Sequence, residues 1–216
     1  MSAAAGLAPR MSANTQPLRI DGPAGVLVGA VDEPAAGVAL RGVVVICHPN
    51  PQQGGTMDNK VVHTLARAFL QLGYRAVRFN YRGVGGSEGE WDEGRGEVDD
   101  ALAVIAAQRD PALPLALAGF SFGGYIVSHA AQRLADDAKA ERLVLVGPAT
   151  SRFDMTTVPA DTLVIHGETD DVVPLSATFD WARPQSLPVV VVPGVGHFFH
   201  GQLPLLKSLV VNAWRA

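Results

Sequence analysis

The sequence predicts an α/β domain in which a mostly parallel sheet carries helices on both faces, and three observations point to it. Short, valine-rich apolar runs alternate along the chain with segments of helical period. Most of those runs are continuously apolar, as in strands covered on both sides, not alternating as in half-exposed ones. In residues 115–127 an apolar run, the stretch Gly119-Phe120-Ser121-Phe122-Gly123 and a helical pattern follow without interruption. That order reads as a strand, a sharp turn and a helix, with one serine at the tip.

The elements follow in chain order. Residues 18–31 alternate and contain Asp21-Gly22 and Gly25, which predicts an opening antiparallel pair. Val43 to Cys47 is a continuous β-branched run, predicted to be a central strand. Residues 59–72 place Val61, Leu65, Phe69 and Leu72 at helical spacing and stop at Gly73. A strand over 75–81, a glycine-rich loop over 83–96 and a helix over 97–109 come next; acids open that helix and an arginine closes it, matching its dipole. After the strand and serine turn, Ile126, Ala130 and Leu134 line one helix face. Strands are predicted over 143–146, 163–166 and 189–192, and a closing helix over 203–215.

The 216 residues suit one domain over 17–216 with a single substantial core. Residues 1–16, rich in alanine and serine, are expected to form a disordered tail, with Met11 an alternative start. They lack the apolar stretch of a signal peptide, and no run is long enough to span a bilayer. A net charge of −4 offers no basic surface for nucleic acid or anionic lipid. The one cysteine, Cys47, cannot form an internal disulfide, and a cytoplasmic location is expected.

A serine between glycines is commonly only a turn, so its chemistry rests on context. A nucleophile at such a turn is lifted clear of the sheet and leaves the next residue's N–H beside a reacting carbonyl; Gly119 and Gly123 let strand and helix approach closely. An acid and then a histidine should follow, each beyond a later strand. The strand at 163–166 runs into Gly167-Glu168-Thr169-Asp170-Asp171, and the strand at 189–192 leads to His197. Ser121, Asp170 and His197 are thus predicted to converge at the carboxyl edge of the sheet, where open parallel sheets place their sites. Asp171 and His200 compete with Asp170 and His197; the first suits a solvated loop, the second a surface or capping position.

These pieces, together with His48-Pro49-Asn50-Pro51, Tyr81-Arg82-Gly83-Val84-Gly85-Gly86-Ser87, His166-Gly167-Glu168-Thr169-Asp170 and Gly196-His197-Phe198-Phe199, give the chain its resemblance to the α/β-hydrolase superfamily. From about Leu18 onward it resembles the small bacterial serine hydrolases related to dienelactone hydrolases and carboxylesterases. The resemblance implies eight strands with one early antiparallel strand, and a catalytic triad of Ser121, Asp170 and His197, with Asp170 on the family's H-G-x-x-D pattern. It also implies an oxyanion hole from the N–H of Phe122 and one from the loop after the third strand. Pro49 and Pro51 have no N–H to give, so Asn50 is the expected second donor. Related dienelactone hydrolases carry a cysteine at the elbow, where this chain has Ser121; Cys47 instead belongs to the body of a strand.

No cofactor and no metal are implied. The histidines form no H-E-x-x-H pattern, and the loop Gly83-Val84-Gly85-Gly86-Ser87-Glu88 lacks the last glycine of a dinucleotide fingerprint. Arg82 is expected to tie that loop down. Only residues 148–160 separate two strands where many relatives insert a lid, so an open site for short or medium acyl esters is expected. Phe120, Trp91, Phe153 and Phe198, with Phe122 and Phe199 beside them, are the aromatic candidates for an acyl pocket. A serine esterase acting on a small-molecule ester is the leading reading. A non-catalytic binding or scaffold protein and a small peptidase or amidase are the alternatives; an intact triad disfavours the scaffold, and the lack of an extra selecting domain the peptidase.

Overall fold

A computed structural model describes residues 15–215. Eight strands form one sheet: β1 (Thr15–Gly22), β2 (Gly25–Asp32), β3 (Gly42–Cys47), β4 (Tyr74–Phe79), β5 (Leu115–Phe120), β6 (Arg142–Val146), β7 (Leu163–Gly167) and β8 (Val189–Val192). Their spatial order is β1-β2-β4-β3-β5-β6-β7-β8. β2 runs antiparallel to both neighbours and every other pairing is parallel. The helices are α1 (Lys60–Gln71), α2 (Arg95–Gln108), α3 (Phe122–Arg133), α4 (Leu175–Ala182) and α5 (Leu203–Arg215).

Successive strand side chains point to opposite faces, and β3 shows what that does to the core. Val44 and Ile46 pack with Leu65 and Phe69 of α1 and with Leu206 and Val210 of α5. Val43, Val45 and Cys47 pack on the other face, with Val98 and Val104 of α2 and Phe122 and Ile126 of α3. All six residues of β3 are buried, which is why its sequence is continuously apolar. Full burial of one such aliphatic side chain is worth about 1.5–3 kcal/mol, so two cores clamp the middle of the sheet.

Several boundaries differ from the sequence expectation for local reasons. β1 begins at Thr15, so Thr15 and Gln16 belong to a strand and not to the expected tail; residues 1–14, including Met11, lie outside the described residues. β4 ends at Phe79 because the main-chain groups that follow turn to side-chain partners: the Asn80 carbonyl accepts from Ser87 Oγ at 2.8 Å, and the Tyr81 N–H donates to His48 Nε2 at 3.3 Å. α2 starts two residues early because Glu97 lies inside its first turn and accepts from the N–H groups of Asp92 (2.9 Å) and Gly94 (2.8 Å). The short α4 has only Thr178 and Ala182 buried and so gives the sequence little periodic signal.

Arg82 does tie down the loop after β4. Its guanidinium holds the buried Asp100 of α2, with Nη2 2.8 Å from Oδ1 and Nε 3.0 Å from Oδ2, while its N–H donates to Oδ2 at 2.9 Å. Residues 147–162, between β6 and β7, contain no helix or strand, and the edge of the sheet there carries no lid. Among the described residues no helix is long and apolar enough to cross a membrane.

Candidate active site

The passage from β5 to α3 forces Ser121 into an unusual conformation, φ 55° and ψ −118°. L-residues rarely adopt that region, and strain of this kind costs on the order of 1–3 kcal/mol unless the surroundings hold it in place. Here they do. The Ser121 N–H donates to Val146 O of β6 at 2.9 Å, and its carbonyl accepts from the N–H groups of Gly124 (2.8 Å) and Ala149 (3.2 Å). The turn is possible only because the backbones touch: a Cβ at Gly119 would overlap the carbonyl of Gly123, and one at Gly123 would overlap that of Cys47. Phe122 is the first residue of α3, so its N–H has no acceptor within the helix and stands at the positive end of the helix dipole.

Asp170 lies three residues beyond β7 and is buried. Its Oδ1 accepts from the N–H groups of Val172 (2.9 Å) and Val173 (2.7 Å), and its Oδ2 lies 2.7 Å from His197 Nδ1. Burial pushes this carboxyl up, but the bond to His197 and those from Val173 and Val172 outweigh it and hold the group below its ordinary value. An ionised Asp170 can only accept, so Nδ1 carries the shared proton. That leaves Nε2 of a neutral His197 as an acceptor. His197 is buried on the loop after β8, its ring 4.9 Å from that of Phe120. Gly147, at the end of β6, makes room for the pair: its φ is +48°, and a Cβ there would stand 3.3 Å from the His197 ring and 3.5 Å from Asp170 Oδ2.

Ser121 and His197 open on one cleft of about 330 Å³, shared with Asn50, Asn59, Arg152 and Phe198. Asn50 shapes its wall: Oδ1 accepts from the Gln52 N–H at 2.8 Å, and its carbonyl accepts from Gln53 and Gly55, each at 3.0 Å. His48 anchors this loop from below. Its Nδ1–H donates to Pro49 O at 2.7 Å while Nε2 accepts from Tyr81, so both nitrogens are engaged by a neutral ring. Burial, partly countered by the Pro49 bond, drives its pKa down to about 3. His166 is likewise buried. Its Nε2 is 2.9 Å from Val173 O and 3.4 Å from Asp170 Oδ2, and its Nδ1 is 3.2 Å from Thr178 Oγ1.

The residues left open by sequence separate clearly. Asp171 is exposed on the cleft and does not bond His197. His200 is exposed and stacks on Phe198, ring centres 5.7 Å apart. Cys47 is buried, and burial raises its pKa to about 12, against a bond to Tyr81; it is no thiolate nucleophile. Of the four expected pocket aromatics only Phe198 lines the cleft. Phe120 is fully buried behind His197, while Trp91 and Phe153 converge on Phe122, with ring centres 5.2 and 4.9 Å away. Phe199 is buried in the core. Sequence reasoning missed Arg152 and Gly147. The Gly147-Pro148 break after β6 was the available signal for the glycine, whereas nothing local marks Arg152.

The family described as Serine aminopeptidase, S33, matches residues 39–154. The chain is 39% identical to a Xanthomonas campestris protein whose crystal structure is described as that of an α/β serine hydrolase without a lid; the match covers 96% of this chain and 97% of that one, with a TM-score of 0.86. A Coxiella burnetii α/β serine hydrolase homologue is 38% identical over 95% of this chain and 99% of that chain, with a TM-score of 0.77. An uncharacterised protein of Rickettsia prowazekii (strain Madrid E) is 29% identical over 73% of this chain and 71% of its own length. The chain belongs to this family: it is an α/β serine hydrolase with the lid-less α/β-hydrolase fold.

Two outcomes check the construction of the site. Gly123→Ala, which drives a Cβ into the Cys47 carbonyl, should cost about 1–3 kcal/mol of stability or more. Gly196→Ala, beside His197 but with only the Thr169 carbonyl 3.8 Å from its Cβ, should change Tm little. Similar Tm values for both would contradict the packing. The second outcome concerns acid. His48 stays neutral in the folded state down to about pH 3, whereas an unfolded histidine takes its proton near 6.5. Its contribution is therefore constant above 6.5, and stability falls below that by up to about 1.4 kcal/mol per pH unit. Urea unfolding between pH 7 and 4 should show a shallower loss for His48→Asn than for wild type; equal slopes would refute it.

Proposed function

We propose that the protein hydrolyses carboxylic esters of short to medium acyl length, and thioesters by the same chemistry, through an acyl-enzyme on Ser121. The observation that carries this reading is the buried 2.7 Å bond between Asp170 and Nδ1 of His197, a histidine that shares its cleft with the strained Ser121.

With Nδ1 committed to Asp170, His197 Nε2 is the base that takes the Ser121 proton as Oγ attacks the acyl carbon. Asp170 fixes the tautomer and offsets the charge that develops on the ring. The carbonyl oxygen gains negative charge as the tetrahedral intermediate forms, and the N–H groups of Phe122 and Asn50 are the donors assigned to it. Both are main-chain groups held by an end of secondary structure, α3 for Phe122 and the turn capped by its own side chain for Asn50. His197 returns its proton to the leaving alcohol, breaking the ester bond. Water then enters; His197 takes a water proton, the oxygen attacks the acyl carbon, and the proton goes back to Ser121 Oγ as the acid departs. An activated amide would differ only in its leaving group.

The acyl range follows from the walls. A cleft of about 330 Å³ with one exposed aromatic, Phe198, and no lid offers little apolar surface to a long chain. With p-nitrophenyl esters from acetate to palmitate, kcat/KM should fall as the chain lengthens. Ser121→Ala should lower the rate on the best ester by about 10⁴-fold or more, and Asp170→Asn should also lower it strongly with little change in KM. Turnover that survives in Ser121→Ala, or that rises toward palmitate, would contradict the proposal.

A further inference from the structure

The cleft around Ser121 is rich in hydrogen-bond donors, and the reason lies in how its asparagines are used. Asn50 and Asn59 both line it, and both are helix caps: Asn50 Oδ1 accepts from Gln52 N–H and Asn59 Oδ1 from Val61 N–H, each at 2.8 Å. Their acceptor atoms are spent on the backbone, so what each has left for a ligand is the NH₂ group. Arg152 adds a guanidinium on the same cleft, with five N–H donors and no acceptor. Among the described residues no hydrogen bond or ion pair engages the Arg152 side chain. This contrasts with Arg75, Arg78, Arg82, Arg95, Arg133 and Arg183, which all hold carboxylates. Asp171 is the other fixed charge on the cleft. It forms no ion pair with Arg152, so the guanidinium keeps its capacity to bind an anion.

We propose that the preferred substrates are esters carrying an anionic oxygen group, a carboxylate or a phosphate, away from the scissile bond, and that Arg152 is the residue that recognises it. This rests on the ester-hydrolase reading of Ser121, Asp170 and His197. The amides of the capping asparagines and a planar guanidinium are complementary to the several lone pairs of such a group, and a neutral alkyl chain would offer these donors no acceptor and leave them to water. Arg152 lies in the connection that replaces a lid, so selection comes from charge at an open rim and not from an enclosed apolar pocket. The anion does not take part in the bond-making steps; it orients the ester over Ser121. Asp171 opposes it, and removing that charge strengthens the preference.

The experiment compares kcat/KM within each enzyme for matched charged and neutral esters. Mono-p-nitrophenyl glutarate against p-nitrophenyl valerate places the anion on the acyl side; 4-acetoxybenzoate against phenyl acetate places it on the alcohol side. Wild type should prefer the charged member of at least one pair, and the preference should shrink as salt is raised. The charged-to-neutral ratio should fall by roughly fivefold in Arg152→Ala, as expected for one solvent-exposed ion pair. It should be partly kept in Arg152→Lys, fall further in Arg152→Glu and rise in Asp171→Asn. Arg67→Ala, on the exposed side of α1, should leave the ratio unchanged. Turnover of the neutral esters with no charged preference in either pair, or a ratio indifferent to Arg152, overturns this inference and leaves the esterase reading standing. No turnover of any of the four esters removes the esterase reading and this inference with it.

Discussion

Three stretches of backbone meet at the β5–α3 turn with no side chain between them, and the architecture follows from that contact. Strand β5, the first turn of α3 and the end of β3 can come this close only because Gly119 and Gly123 present no Cβ to the neighbouring carbonyls. The contact fixes where α3 begins, and with it the direction of its dipole and of the Phe122 N–H. It also leaves Ser121 in a conformation that a free chain would abandon, retained because β6 and Ala149 bind its N–H and carbonyl. The two hydrophobic cores hold the sheet against which this strain is balanced.

Around that turn the fold separates buried, multiply bonded side chains from exposed ones on the cleft. Asp170 and His197 are buried, and the carboxylate makes two main-chain bonds and one ring bond, leaving it little freedom. His48 and His166, although close by, spend their nitrogens on backbone carbonyls, an N–H and a hydroxyl, and so brace the walls. The exposed groups lining the cleft are of another kind. Arg152, Asp171 and Phe198 are exposed, on segments without regular structure, where substitutions can change selectivity without disturbing the packed sheet.

Much of this was legible in the sequence because it depends on patterns that burial imposes. Continuous apolar runs marked strands covered on both faces, and the order serine, acid, histidine placed three polar residues at one edge of the sheet. What was not legible depends on which face a side chain takes and on contacts between distant loops. Phe120 and Phe122 flank Ser121 and look equivalent as letters, yet one faces α5 and backs His197 while the other faces α2 and gathers Trp91 and Phe153. Asp170 and Asp171 are identical in type and neighbours in sequence; only the main-chain bonds that turn Asp170 inward distinguish them. Arg152 carries no motif at all, and its place on the cleft comes from the path of the connection after β6.

The central claim is that this backbone geometry makes Ser121 a nucleophile with a prepared oxyanion site. A crystal structure of the adduct formed with a small fluorophosphonate tests it most directly. The expected adduct has phosphorus bonded to Ser121 Oγ and a phosphoryl oxygen at about 2.7–3.1 Å from the N–H groups of both Phe122 and Asn50. Phosphorus on another residue, or on Ser121 with that oxygen turned away from both amides, would contradict it.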